Sequence, residues 1–205
     1  MKLPRPPLLI VTDRKQAETS LDDVLSAAFA AGCRWASVRE KDVSDAEQVA
    51  LARRLLAVAR DAHARLTLDG SPALAREAGV DGVHLPAGAD AAVARELLGS
   101  NALIGISVHK PEEAARLDPS VVDYAIAGPA YATASKPNHG PILGMLGVEK
   151  IVNAAKVPVI AIGGIAPGVV AEMRVAGAVG VAVMGGVMRA KDPGDAVKRL
   201  VHAFA

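Results

Sequence analysis

Near residue 40 the chain reads SVREKD (37–42), an order of residue types suited to binding an anion. In an extended segment side chains alternate, so Ser37, Arg39 and Lys41 fall on one face and Val38 and Glu40 on the other. Two cations on one face attract a phosphate, to which an arginine offers two parallel N–H donors. The alternative is a surface salt-bridge cluster with Glu40 and Asp42, which would contribute little. Two glycine pairs, Gly163-Gly164 and Gly185-Gly186, would let backbone N–H groups approach a phosphate at the start of a following helix, or else form ordinary tight turns. Met184 precedes the second pair, where packing is the simpler role, although it is carried as a binding candidate. Thr133, Ser135 and Lys136 form a hydroxyl, hydroxyl, ammonium series that suits phosphate oxygens, or else a flexible polar loop.

Asp69, followed by Gly70, could hold Mg2+ against such an anion, or cap the helix that begins near Pro72. Ser107 and His109 lie two residues apart, so His109 is the histidine that stands beside another candidate. His63 and His202 belong to helical segments, and His84, in an apolar strand, reads as a satisfied core residue. There is no HExxH, CxxC or GxSxG, so zinc-hydrolase and serine-hydrolase chemistry lacks support.

The elements that must position these residues are eight short apolar runs: LLIVTD (8–13), WASVRE (35–40), RLTLDG (65–70), DGVHLP (81–86), ALIGISVH (102–109), DYAIAGPA (123–130), PVIAIGG (158–164) and VGVAVMGG (179–186). Stretches of 3.6-residue periodicity separate them, among them 21–31, 46–62 and 167–176, with a further helix around 148–155. Ser20, Ser44 and Pro111 mark helix starts, and Gly32, Gly79 and Gly177 mark helix ends. Most runs begin roughly 20 to 30 residues apart, room for one crossover helix each. Eight units predict a single (β/α)8 TIM barrel over residues 1–205, with a flavodoxin-like open sheet of about five or six strands as the competing architecture. In a barrel the chemistry sits at the carboxyl ends of the strands, where every candidate above falls.

With 205 residues, one domain is the expectation, and a 51% hydrophobic, 2% aromatic composition requires a core of Ala, Val, Leu and Ile. Lys and Arg number 23 against 22 acidic residues, so no long-range field gathers nucleic acid or an acidic membrane surface. Any anion site must be local. The lone Cys33 cannot form an internal disulfide, the amino terminus turns polar at once, and no run is long enough to cross a bilayer, so a cytoplasmic location is expected. The sequence leaves the oligomeric state open, a homo-oligomer included.

Taken in order, VREKD (38–42), DGVHLP (81–86), SVHKPEEA (107–114), DYAIAGPAYATASK (123–136), PVIAIGGI (158–165) and GVAVMGG (180–186) resemble the thiamine phosphate synthase and thiazole tautomerase superfamily. The resemblance runs from IVTD (10–13) to the last helix. It implies a transferase of thiamine biosynthesis, in which hydroxymethylpyrimidine pyrophosphate loses pyrophosphate and the pyrimidine cation is captured by the nitrogen of a thiazole phosphate. Carried over by motif, Arg39, Lys41 and Lys136 would hold the pyrophosphate, with Mg2+ on Asp69. Thr133 and Ser135 would lie near the thiazole phosphate and leaving group, Gly164, Gly185 and Gly186 would take the thiazole phosphate, and Ser107 would approach the pyrimidine. The chain departs from the synthase pattern at Ser37, where Gln is usual, and at Leu68, where Asn is usual. The second metal carboxylate is displaced as well: Ala89 stands in its place and Asp90 follows as the metal candidate. HLPAG (84–88) is similar to the tautomerase branch, whose catalytic histidine is replaced here by Pro129. A tautomerase-like isomerase or diverged member is therefore the second expectation, and a non-catalytic sensor of phosphorylated ligands the third.

Overall fold

A computed structural model of the chain describes residues 3–134 and 141–204. Each of the eight apolar runs is a strand: β1 (Leu8–Val11), β2 (Trp35–Val38), β3 (Arg65–Asp69), β4 (Gly82–Leu85), β5 (Leu103–Val108), β6 (Tyr124–Ala127), β7 (Val159–Ile162) and β8 (Gly180–Val183). All pair in parallel with their chain neighbours, and β8 closes on β1, giving one (β/α)8 barrel and excluding the open sheet. The crossover helices are α1 (Leu21–Ala30), α2 (Asp45–Asp61), α3 (Pro72–Ala78), α4 (Ala91–Leu98), α5 (Pro111–Ala115), α6 (Gly144–Ala154) and α7 (Pro167–Val175). After β8 come a one-turn α8 (Gly185–Met188) and then α9 (Pro193–His202). Among the described residues no helix is long and apolar enough to cross a membrane.

The strands read as nearly continuous apolar runs because both faces are covered. Outward residues such as Ile10, Ala36, Leu66 and Val83 pack beneath the helices. Their neighbours Leu9, Val11, Trp35, Leu103, Tyr124, Ile126, Ile160 and Ala182 fill the barrel interior. Trp35 and Tyr124 meet edge to face with ring centroids 4.8 Å apart, a plug that closes the barrel beneath the site. Gly105 makes room for it, since a Cβ there would overlap the Tyr124 ring.

The helix starts follow from local chemistry. Ser20 accepts from the Asp23 amide, and Ser44 with Glu47 forms a full capping box, whose hydrogen bonds hold the Glu47 carboxyl below its usual range. The sequence-based expectations differ from the fold in three places. The sixth helix begins at Gly144 rather than near Val148. Ser71, not Asp69, caps α3, which removes the capping alternative for Asp69. The turn after β8 is itself the helix α8. Most strands also end before the polar residues that close their runs, which leaves those residues free of the ladder to line a cavity.

Candidate active site

The carboxyl ends of the strands surround a cavity of about 450 Å3, within the range of small-molecule sites. Ser37, Arg39 and Lys41 all line the cavity as the alternation expects, although β2 itself ends at Val38, while Glu40 turns away and is 3% exposed. The salt-bridge alternative for this segment fails in an informative way. Glu40 and Asp42 do form ion pairs, but with Arg14 and Lys15 of the loop after β1. Glu40 accepts from Thr12 Oγ1 at 2.7 Å and from the Arg14 amide at 3.1 Å. Thr12 Oγ1 in turn accepts from the Arg39 amide at 3.0 Å. This chain of bonds, made possible by the pairing of β1 with β2, fixes the backbone from which Arg39 projects. Asp42 bonds Arg14 and Lys15, which holds its carboxyl well below the usual carboxylate range. Arg39, in the cavity wall, makes no ion pair among the described residues.

Asp69 also lines the cavity, with its side chain 15% exposed and bonded to Lys41 Nζ at 3.0 Å. Asp90 does not join it. It is the N-cap of α4, where Oδ1 accepts from the Ala92 amide at 2.9 Å, and the cavity wall does not include it. The one-residue shift from Ala89 to Asp90 turns an expected metal ligand into a cap. Among the described residues no group of three or more His, Cys, Asp or Glu could hold a metal ion. A single carboxylate still suits Mg2+, which keeps much of its water and takes other ligands from substrate phosphates. Asp69 is therefore the residue that could hold the ion, with most of its ligands arriving with the substrate.

Ser107 and His109 both line the cavity. His109 Nδ1 donates to the Gly128 carbonyl at 2.7 Å, so a neutral ring presents Nε2 as an acceptor. Sequence reasoning missed His84, which is in the cavity wall rather than a core residue apart from it. The β4–β5 register places His84 beside Gly105, and His84 Nε2 is 2.9 Å from Ser107 Oγ one pleat further on. The same imidazole stacks on Tyr124 at 5.7 Å, so the aromatic plug orients it. The signal lay in period-2 spacing: His84 and Ser107 are inward residues at the strand ends, visible only once the register is known.

On the opposite side lie the glycines. Gly163, Gly164, Gly185 and Gly186 all line the cavity, as do Thr133 and Met184. Gly164 has φ +63°, and a Cβ there would come within 2.6 Å of Tyr131 Cβ and 2.7 Å of the Ala132 carbonyl. Glycine is thus required for the loop after β6 to pack against the turn after β7, joined by Tyr131 N–H to the Gly163 carbonyl at 3.0 Å. Gly185 and Gly186 open α8, where the first N–H groups of a helix have no intrahelical acceptor. A short extra helix after strand eight is a recurrent phosphate site of this fold. The Ser135 and Lys136 expectations lie outside the described residues.

A family model described as thiamine monophosphate synthase matches residues 8–187. The chain is 37% identical over 198 residues to a thiamine-phosphate synthase of Roseiflexus sp. (strain RS-1), an alignment that covers 95% of this chain and 83% of that protein. It is likewise 37% identical over 196 residues to a putative thiamine-phosphate synthase of Geobacter sulfurreducens, with 95% and 92% covered. Among solved structures, thiamine phosphate pyrophosphorylase from Pyrococcus furiosus matches with a TM-score of 0.85 at 29% identity, covering 99% of this chain and 96% of that one.

Proposed function

The chain belongs to the thiamine monophosphate synthase family, and on that premise we propose that it is a transferase joining hydroxymethylpyrimidine pyrophosphate to thiazole phosphate, with release of pyrophosphate. The observation that carries this reading is one cavity with Arg39 and Lys41 on one wall and the Gly163-Gly164 and Gly185-Gly186 turns on another. Two anionic groups, one on each substrate, would then have two separate places to bind.

In the proposed reaction the pyrimidine methylene carbon loses its bond to the pyrophosphate oxygen, which leaves with the electron pair. The thiazole nitrogen then donates its own pair to form the new C–N bond. No protein nucleophile is needed. The work of the chain is to stabilise negative charge as it develops on the leaving group, using groups already in position. Arg39 would supply a bidentate donor and Lys41 a mobile ammonium, while Lys136, outside the described residues, is a third cation that the family resemblance implies. Asp69 would hold Mg2+, which when bound would supply further neutralisation of the leaving group's charge. The hydrogen-bonded pair His84 and Ser107 would orient the pyrimidine, with Ser37 beside it. Thr133, Ser135, Gly164, Gly185 and Gly186 would hold the thiazole phosphate, and Met184 would pack against the ring.

Purified protein incubated with both phosphorylated precursors and Mg2+ should form thiamine phosphate and pyrophosphate in equal amounts. Formation of neither, under conditions where an authentic synthase works, removes the reading. The tautomerase alternative has Pro129 in the cavity wall where an imidazole is wanted, and the thiazole carboxylate tautomer supplied alone should remain unchanged.

A further inference from the structure

The anion-binding end of the cavity contains a side chain to which the reaction above gives no task. Arg189, which follows α8, lines the wall with the four glycines. Its guanidinium occupies the space in which a side chain at residue 185 would stand, so that a Cβ on Gly185 would lie 2.6 Å from Arg189 Cζ and nearer still to Nη1. The two glycines of the pair therefore differ. A Cβ on Gly186 would meet only the Ile165 carbonyl oxygen, at 3.8 Å. Gly185 is not among the residues of positive φ, so the guanidinium, and not the backbone, calls for glycine there.

The loop after β1 sets the direction of this guanidinium. Arg189 Nη1 donates to Gln16 Oε1, while Gln16 Nε2 donates to the Asp13 carboxylate and lies 3.7 Å from Met184 Sδ. An amide has one accepting end and one donating end, so Asp13 fixes which end Gln16 presents to the arginine. A phosphate monoester carries a charge of roughly −1.5 to −2 near neutrality. Backbone N–H groups answer it with partial charges only. A full positive charge at this end completes the site.

We propose that Arg189, positioned by Gln16 in the space left by Gly185, clamps the phosphate of the thiazole substrate and makes the site select the phosphorylated thiazole over its alcohol. The proposal rests on reading the glycine turns as the phosphate end of the cavity. Calorimetric titration of the intact protein with thiazole phosphate, and separately with the unphosphorylated thiazole alcohol, tests it without requiring turnover. Arg189→Met should weaken binding of the phosphate by about 10- to 100-fold, the worth of a charge-assisted contact, and leave the alcohol unchanged. Arg189→Lys should recover part of the loss. Gly185→Ala should reproduce much of it by displacing the guanidinium while keeping the charge. Gln16→Ala should weaken phosphate binding by about 3-fold and add nothing in the Arg189→Met background, as expected of a residue that acts through the arginine. Unchanged phosphate affinity in Arg189→Met, or equal losses for phosphate and alcohol, would overturn the clamp even in a protein that makes thiamine phosphate. A selective loss in a protein that makes none would leave the clamp standing and remove the proposed reaction.

Discussion

Replacing Glu40 tests how the cationic wall of the cavity is held. Its carboxylate is 3% exposed and accepts from Thr12 Oγ1 at 2.7 Å, from the Arg14 amide at 3.1 Å and from Arg14 Nη1 at 3.2 Å. Glu40→Ala leaves the Thr12 hydroxyl and the Arg14 amide without this acceptor, and each polar group orphaned in a buried place costs about 1–3 kcal/mol. The Arg14 guanidinium adds little to that sum, because its side chain is 38% exposed and keeps Asp42. The expected loss is about 3 kcal/mol, which lowers Tm by about 6–12 °C in a domain of this size. Glu40→Gln retains an acceptor oxygen for Thr12 and should lose about 1 kcal/mol. Because Thr12 Oγ1 also holds the Arg39 amide, KM for the pyrimidine pyrophosphate should rise in the same order, Ala more than Gln. Urea unfolding and initial rates on the three proteins measure both effects. A Glu40→Ala protein within about 0.5 kcal/mol of the parent would refute the account of this latch.

Three further outcomes follow from single residues. Gly164→Ala forces a left-handed backbone on alanine and drives its methyl into Tyr131 and the Ala132 carbonyl, so unfolding free energy should fall by about 2–4 kcal/mol in a denaturant titration. Hydrogen bonds from Arg14 and then Lys15 depress the Asp42 carboxyl, so its contribution is present above the unfolded carboxyl value of about 3.9 and is lost as pH falls through the lower folded value. Tm curves of the parent and Asp42→Asn should accordingly differ above about pH 4 and converge below it; a gap that stays constant with pH would contradict the pairing. Burial pushes the Cys33 thiol up to about 11, so a thiol reagent at neutral pH should modify it only after denaturant is added.

The fold was legible because a parallel barrel buries both faces of every strand, and runs such as PVIAIGG announce themselves without any partner. Ser20 and Ser44 were legible for the opposite reason, since their caps depend on residues three positions away. Arg39, Lys41 and Asp69 could be assigned to one mouth from strand ends and period-2 alternation alone. What escaped depends on contacts between distant segments. Glu40 looked like a partner for its neighbouring cations until the β1–β2 pairing brought Thr12 and Arg14 to it across 28 and 26 residues. His84 looked like core because an imidazole between Val83 and Leu85 gives no sign that Ser107 waits on the next strand. Asp90 was misplaced because one residue at a helix start decides between facing a ligand and capping the helix. Arg189 was invisible because its place is defined by the absence of a side chain at Gly185 and by Gln16, 173 residues away.

The central claim, two separate anion sites within one mouth, is tested most directly by measuring the affinities of Arg39→Ala for pyrophosphate and for thiazole phosphate separately. The account predicts a loss of about 10-fold or more for pyrophosphate and nearly unchanged binding of thiazole phosphate. Equal losses for the two ligands would contradict it.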